Sequence, residues 1–156
     1  ETGTPGWTIH LFQPSDPTDS HSSGFAPIPR QGQGTPQGDE NPRPPLEAGK
    51  TPIEYLSILR EAQDDSDSPY FQESGMTPED WIIAFMIHLT ETGKPFDDAW
   101  NPTNKESISY LTGAFFHSSI LVPYAYWGRD FRQAGLRRYV PHRRDEGIGA
   151  RFSVIV

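Results

Sequence analysis

Half of this chain's backbone punctuation falls in its first third. Residues 1–50 hold nine of the 16 prolines and seven of the 14 glycines. Proline removes a backbone donor and fixes φ, while glycine carries the largest entropic cost of ordering. A stretch so composed has few side chains to bury and builds neither a helix nor a sheet interior. The core must therefore be assembled from 51–156, which carries most of the Leu, Ile, Phe, Tyr and Trp. The sequence divides into a Pro/Gly-rich extended arm over 1–50 and a compact α+β ligand-binding module over 51–156. Within the arm, Trp7-Thr-Ile-His-Leu-Phe12 alternates as a short strand at 7–12 before Pro14 and Pro17 end it. Alone in water the rest of the arm is disordered or polyproline-like, so it is held either by its own module or by a neighbouring chain.

Three helix starts share one design. Thr51-Pro-Ile-Glu54 places a hydroxyl at the N-cap, proline at the first helical position and a carboxylate at the third. Ile53, Leu56, Leu59 and Ala62 then line one face. Thr77-Pro-Glu-Asp80 repeats the arrangement and opens the most apolar helix, from Trp81 to about Thr92, stopped by Gly93. Its run Trp81-Ile-Ile-Ala-Phe-Met-Ile87 is too short to cross a membrane and reads as a buried helix. Thr103-Asn-Lys-Glu106 opens a third, shorter helix with Ile108 and Leu111, closed by Gly113. After Gly113 the aromatic and branched residues up to Trp127 read as strand or extended loop. Ile148, Ala150, Phe152, Val154 and Val156 alternate with their neighbours, which predicts one C-terminal strand with one face in the core. That strand needs a partner, and residues 8–12 are the candidate.

Catalytic signatures are absent. The chain has no cysteine, so disulfides, thiolate metal sites and cysteine nucleophiles are excluded. The five histidines show no metal-ligand spacing, and His88 reads as a core histidine with one hydrogen bond. Asp64, Asp65 and Asp67 lack the glycine and terminal glutamate of a calcium loop and read as a solvated turn. Glu79/Asp80 and Asp97/Asp98 are explained by capping and turn roles. No phosphate-binding glycine loop or nucleophile elbow occurs. The expectation is a protein that is not an enzyme and that uses no cofactor and no metal.

The charge of −8 is unevenly placed. Residues 51–105 carry eleven acids against three bases, whereas 106–156 carry seven arginines against four acids. Two readings stand: a basic face for an acidic partner, or neutralisation of the middle by the end across the fold. An acidic chain is a poor match for nonspecific nucleic-acid binding.

From Tyr124 to Asp145 aromatic residues and arginines are packed together with Gly and Pro, and aliphatics are scarce. Tyr, Trp and Arg dominate binding hot spots because they offer large, stiff, partly polar surfaces. Tyr124, Tyr126, Trp127, Arg129, Phe131, Arg132, Arg137, Tyr139, His142 and Arg143 are thus candidate ligand contacts. Two other readings stay open: a two-stranded hairpin with aromatics packed inward and arginines solvated, and nucleic-acid contact through stacking.

The ending Arg137-Arg-Tyr-Val-Pro-His-Arg-Arg-Asp-Glu-Gly-Ile-Gly-Ala-Arg-Phe-Ser-Val-Ile-Val156 resembles the C-terminus of the formylglycine-generating-enzyme type of C-type-lectin fold. The same tail is typical of variable proteins of diversity-generating retroelements, phage receptor-binding proteins among them. The resemblance implies a small, loop-rich α+β domain with two to three short helices and a small antiparallel sheet joining the chain ends. It also implies a loop-borne contact patch, here with Trp127, Arg129, Phe131, Arg132, Tyr139 and His142. The oxidase chemistry of the family needs cysteine and is excluded, which leaves ligand binding. The expected function is a display protein for a protein or glycan ligand, soluble, on a virion or cell surface. The alternative is a structural subunit of a viral or phage particle (capsid, cement or tail) whose arm wraps a neighbouring chain.

Overall fold

Both proline-opened helices form where their caps place them. In the computed structural model, which describes residues 9–16, 18–19, 21–38, 42–103, 105–115 and 118–155, helix α1 spans Pro52–Gln63 and α2 spans Pro78–Thr92. Each carries a reciprocal capping box. Thr51 Oγ1 accepts from Glu54 N–H while Glu54 accepts from Thr51 N–H, and Thr77 and Asp80 repeat the exchange. Gly93 closes α2 in the left-handed region at φ 68°, where the missing Cβ removes the steric penalty. Leu56, Leu59 and Ala62 are buried on α1 as the spacing predicts. Tyr55 joins them fully buried, its hydroxyl donating to Glu47 O.

The strands form two small sheets. In the first, β7 (Phe152–Ile155) is central, with β1 (His10–Leu11) and β2 (Glu73–Gly75) antiparallel on either side. The expected pairing of the chain's first and last strands is present, with His10 opposite Ile155 and Leu11 opposite Val154. Trp7 and Thr8 of the predicted strand lie outside the described residues. The second sheet runs β5 (Gln133–Tyr139), β4 (Val122–Gly128), β3 (Ile108–Tyr110), β6 (Ile148–Ala150), with β3 and β6 parallel. The fold class is thus α+β, with two α-helices and two small sheets.

Two elements depart from expectation. The third helix does not form: Ile108–Tyr110 is the strand β3, and only a single 3-10 turn follows at Thr112–Ala114. Ser107, Ile108, Ser109, Tyr110 and Leu111 are all buried, so the segment packs on both faces, and pairing with β4 and β6 satisfies backbone groups that an isolated helical turn would leave to solvent. The C-terminal strand is two strands, not one. It breaks at Arg151 and changes sheet, and Arg151 and Ser153, which the alternation would place outside, are both buried.

Two apolar clusters flank the second sheet. Tyr55, Leu56, Ile108, Tyr110, Phe115, Val122, Ile148 and Ala150 pack together beside α1. Met76, Trp81, Ala84, Phe85, Phe96, Leu111 and Ala125 pack beneath α2. The described part of 9–50 joins this body. Ile28, Leu46 and Ala48 are buried, Arg43 pairs with Glu73, Arg30 donates to Glu106 O, and Ala26 O accepts from Arg151. Opposite charges of the middle and the end meet in three ion pairs, Arg129–Asp98, Arg144–Glu54 and Arg151–Asp97. The neutralising reading of the charge asymmetry is therefore realised at these positions.

The long apolar run is only half buried. Trp81, Ala84, Phe85 and His88 face inward, whereas Ile82, Ile83, Met86 and Ile87 face solvent. No helix among the described residues is long and apolar enough to cross a membrane.

Candidate functional site

The stretch from Tyr124 onward forms a β-hairpin, and its pleat sorts the aromatic residues onto two faces. Successive side chains of a strand point to opposite faces. On β4, Tyr124 and Tyr126 pack beside the α1 cluster, while Ala125 and Trp127 belong to the α2 cluster. On β5, Tyr139, Arg137 and Gly135 lie opposite Val122, Tyr124 and Tyr126 and share their face. A Cβ at Gly135 would meet the Tyr126 ring at 2.6 Å, so the missing side chain is what lets the ring lie across the neighbouring strand.

This face is the wall of an open cleft of about 720 Å³. Tyr124, Tyr126, Tyr139, Arg129, Phe131 and Arg137 line it, together with Arg30, Trp100, Asp130 and Asp145. The tyrosines form a connected surface: Tyr124 lies 5.9 Å from Tyr126 and 6.2 Å from Tyr139 between ring centroids. Trp100 meets Tyr126 edge-on at 5.6 Å, and the Arg137 guanidinium sits 5.5 Å over the Tyr126 ring. Such stacking holds a guanidinium in place while its donors stay available to a ligand. Burial raises the Tyr124 hydroxyl above its ordinary range, with Arg137 opposing the shift. Tyr139 is raised by burial and by Asp145. Both phenols therefore stay protonated at neutral pH.

The rim is positioned by charge. Arg129 Nε donates to Asp98 Oδ2 at 2.7 Å, and Asp98 Oδ1 accepts from Trp100 N–H at 3.2 Å. One buried carboxylate thus orients both an arginine and a tryptophan of the cleft. Arg30 reaches in from the N-terminal stretch, donating to the carbonyls of Glu106, Glu146 and Ala99. Burial raises Glu106, whose carboxylate accepts from Asp98 N–H. Phe131 and Trp100 stand at the rim with 78% and 55% of their surface exposed.

Six of the ten candidate contacts come together here, and four do not. Trp127 stacks on Phe85 at 5.8 Å on the opposite face and serves the core. Arg132 occupies the hairpin tip at φ 50°, exposed and outside the cleft wall. His142 and Arg143 are exposed beyond the end of β5 and do not line the cleft. The sequence reading missed Trp100 and Arg30. Trp100 carried a signal, being a tryptophan between Asp98 and Pro102 that no helical or strand period claims. Arg30 carried none.

The acidic positions hold structural posts. Asp80 caps α2, Asp65 Oδ1 accepts from Asp67 N–H in an exposed turn, and Asp97 and Asp98 pair with arginines. Among the described residues no group of His, Asp or Glu is placed to hold a metal ion. His88 is buried, its Nδ1 accepting from Phe25 N–H at 2.9 Å. No family model, curated protein or solved structure matches the chain.

Proposed function

We propose that this protein is a non-catalytic binding module that takes a protein or glycan ligand in the cleft of the β4–β5 hairpin. The observation that carries the reading is the gathering of three tyrosines, Trp100, Phe131 and Arg137 around one open cavity, with the arginine stacked and bearing no ion pair among the described residues. Rings supply apolar contact at small entropic cost, and guanidinium and phenol donors supply direction. The walls offer surfaces for contact, not a nucleophile set against a base. A C-type-lectin-like display protein, of the kind found in diversity-generating retroelements, fits the pairing of first and last strands and the hairpin-borne patch.

The test is a pair of arrays, one of glycans and one of peptides, probed with the full chain and with Phe131→Ala/Arg137→Ala. Spots retained by the wild type and lost by the variant support the cleft as the site. Spots retained equally by both place recognition elsewhere and sink the reading.

A second reading, a structural subunit of a viral or phage particle, draws on a different observation, the exposed aliphatic face of α2. The described residues of 9–50 are bonded to the rest of the chain through the Arg30 and Arg43 side chains and the Glu47 carbonyl, which accepts from the Tyr55 hydroxyl. A contact with a neighbour would then run through α2 rather than through that stretch.

A further inference from the structure

Strand β5 is the outer strand of the four-stranded sheet. Which of its backbone groups are spent on β4 follows from the bonds on the far side of β4. Leu111 N–H donates to Pro123 O at 2.9 Å, and Trp127 N–H donates to Asp97 O at 3.1 Å. Pro123, Ala125 and Trp127 thus turn their backbone groups away from β5, since successive strand residues alternate in this respect. The hydrogen-bonded pairs of the hairpin are then Tyr124 with Arg137 and Tyr126 with Gly135. Ala134, Leu136 and Arg138 direct N–H and C=O to the open edge. None of these groups has a hydrogen-bond partner among the described residues, and all three residues are exposed. Positive charge gathers on the same edge. Residues 129–144 contain Arg129, Arg132, Arg137, Arg138, Arg143 and Arg144 against one acid, Asp130, in a chain of net charge −8. Arg129 and Arg144 are spent on Asp98 and Glu54. The other four arginines form no ion pair among the described residues.

We infer that β5 takes an extended acidic peptide segment of a partner protein as a fifth strand of this sheet. The inference rests on the reading of the hairpin as a binding surface and narrows its ligand to one class. An edge of alternating donors and acceptors is matched by another extended peptide backbone, and not by a glycan or a nucleic acid, which have no such alternation. The arginines decide which peptide. A second copy of β5 would lay Arg132, Arg137 and Arg138 of both chains along one seam, and like charges across strands are destabilising. An edge so charged resists its own copies and admits a segment of opposite sign. The pleat then fixes a pattern. Arg137 and Arg138 point to opposite faces, so the residues facing them are successive carboxylates. Leu136 and Tyr139 flank the two arginines and call for apolar partners. The segment therefore reads apolar, acid, acid, apolar. Arg137 and Tyr139 line the cleft whereas Leu136 and Arg138 do not, so one acid and one apolar side chain of the added strand lie at the mouth of the cleft.

The probe is a blocked synthetic peptide with the core Val-Glu-Glu-Tyr between threonines, titrated into the full chain by fluorescence anisotropy. Strand addition uses one side of the peptide backbone. Of two versions N-methylated at alternate amides, one is expected to bind as the parent does and the other not at all. A version with lysine for both glutamates does not bind. Leu136→Pro removes an outward N–H and none that bonds β4, so it abolishes binding with the thermal melt unchanged. If that variant does not fold, Arg138→Glu, outside the cleft wall, weakens binding about tenfold and admits the lysine peptide. Equal binding of both N-methylated versions overturns the inference, as does a wild-type chain that takes no acidic peptide or that takes oligothymidylate in its place. Binding that survives Leu136→Pro and Arg138→Glu but is lost in Phe131→Ala/Arg137→Ala also overturns it, and leaves the cleft reading standing without the edge.

Discussion

Arg151 holds Asp97 through two guanidinium nitrogens, Nη2 at 2.8 Å and Nε at 2.9 Å from Oδ1, with both residues buried. The Trp81 indole donates to Asp97 Oδ2 at 2.6 Å, and the remaining Arg151 nitrogen, Nη1, donates to Ala26 O at 2.7 Å. The guanidinium also lies 4.2 Å over the Phe96 ring. One pair thus ties the junction of β6 and β7 to α2, to the loop after it and to the N-terminal stretch. Removing one partner strands the other charge in the core. Asp97→Ala is expected to cost about 3–5 kcal/mol. Asp97→Ala/Arg151→Met is expected to cost less than the sum of its single changes, which a double-mutant cycle in urea measures.

His88 sets a pH dependence. Burial, with the neighbouring Arg151 charge, holds its imidazole below the usual 6.5, and Glu91 opposes the shift. The folded chain keeps Nδ1 free as the acceptor for Phe25 N–H, whereas the unfolded chain takes up a proton near pH 6.5. Stability is therefore lost as pH falls below about 6.5 and levels off once the folded imidazole also protonates. The raised carboxyl of Glu106 contributes the opposite slope, stability decreasing as pH rises through its folded value. The difference between wild type and His88→Asn isolates the histidine. Urea midpoints at pH 7.5 and pH 5.5 are expected to drop more in the wild type than in the variant.

Tyr110 offers a change of the other sign. Its ring is fully buried between Tyr55 and Tyr139, and its hydroxyl has no hydrogen-bond partner among the described residues. A buried hydroxyl without a partner costs about 1–3 kcal/mol. Tyr110→Phe keeps the ring and removes that cost, so a thermal melt several degrees above wild type is expected. A melt several degrees lower would mean that the hydroxyl is hydrogen-bonded.

The local rules were legible wherever one residue's neighbours in sequence were also its neighbours in space. Thr51 with Glu54, and Thr77 with Asp80, announce their helices because cap and partner are three residues apart. The same pattern at Thr103 and Glu106 misleads, because the following residues are buried on both faces and sheet pairing prevails over helix propensity. Arg151 was hidden by its charge: alternation assigns it to solvent, and only Asp97, 54 positions away, makes it a core residue. In the cleft, Tyr124, Tyr126, Arg137 and Tyr139 were visible as a composition. That Trp127 turns away follows from the pleat, once the direction of Tyr126 is known. Arg30 enters from a stretch whose composition hides its place in the fold.

Recognition by the cleft of the β4–β5 hairpin is tested most directly by isothermal titration of an array-selected ligand into wild type and into Phe131→Ala/Arg137→Ala. Both side chains line the cleft, and neither belongs to an apolar core cluster. An unchanged thermal melt with binding weakened at least a hundredfold, about 2.7 kcal/mol, is the result expected of a hot-spot pair. Equal affinity in the two proteins, at equal stability, would contradict it.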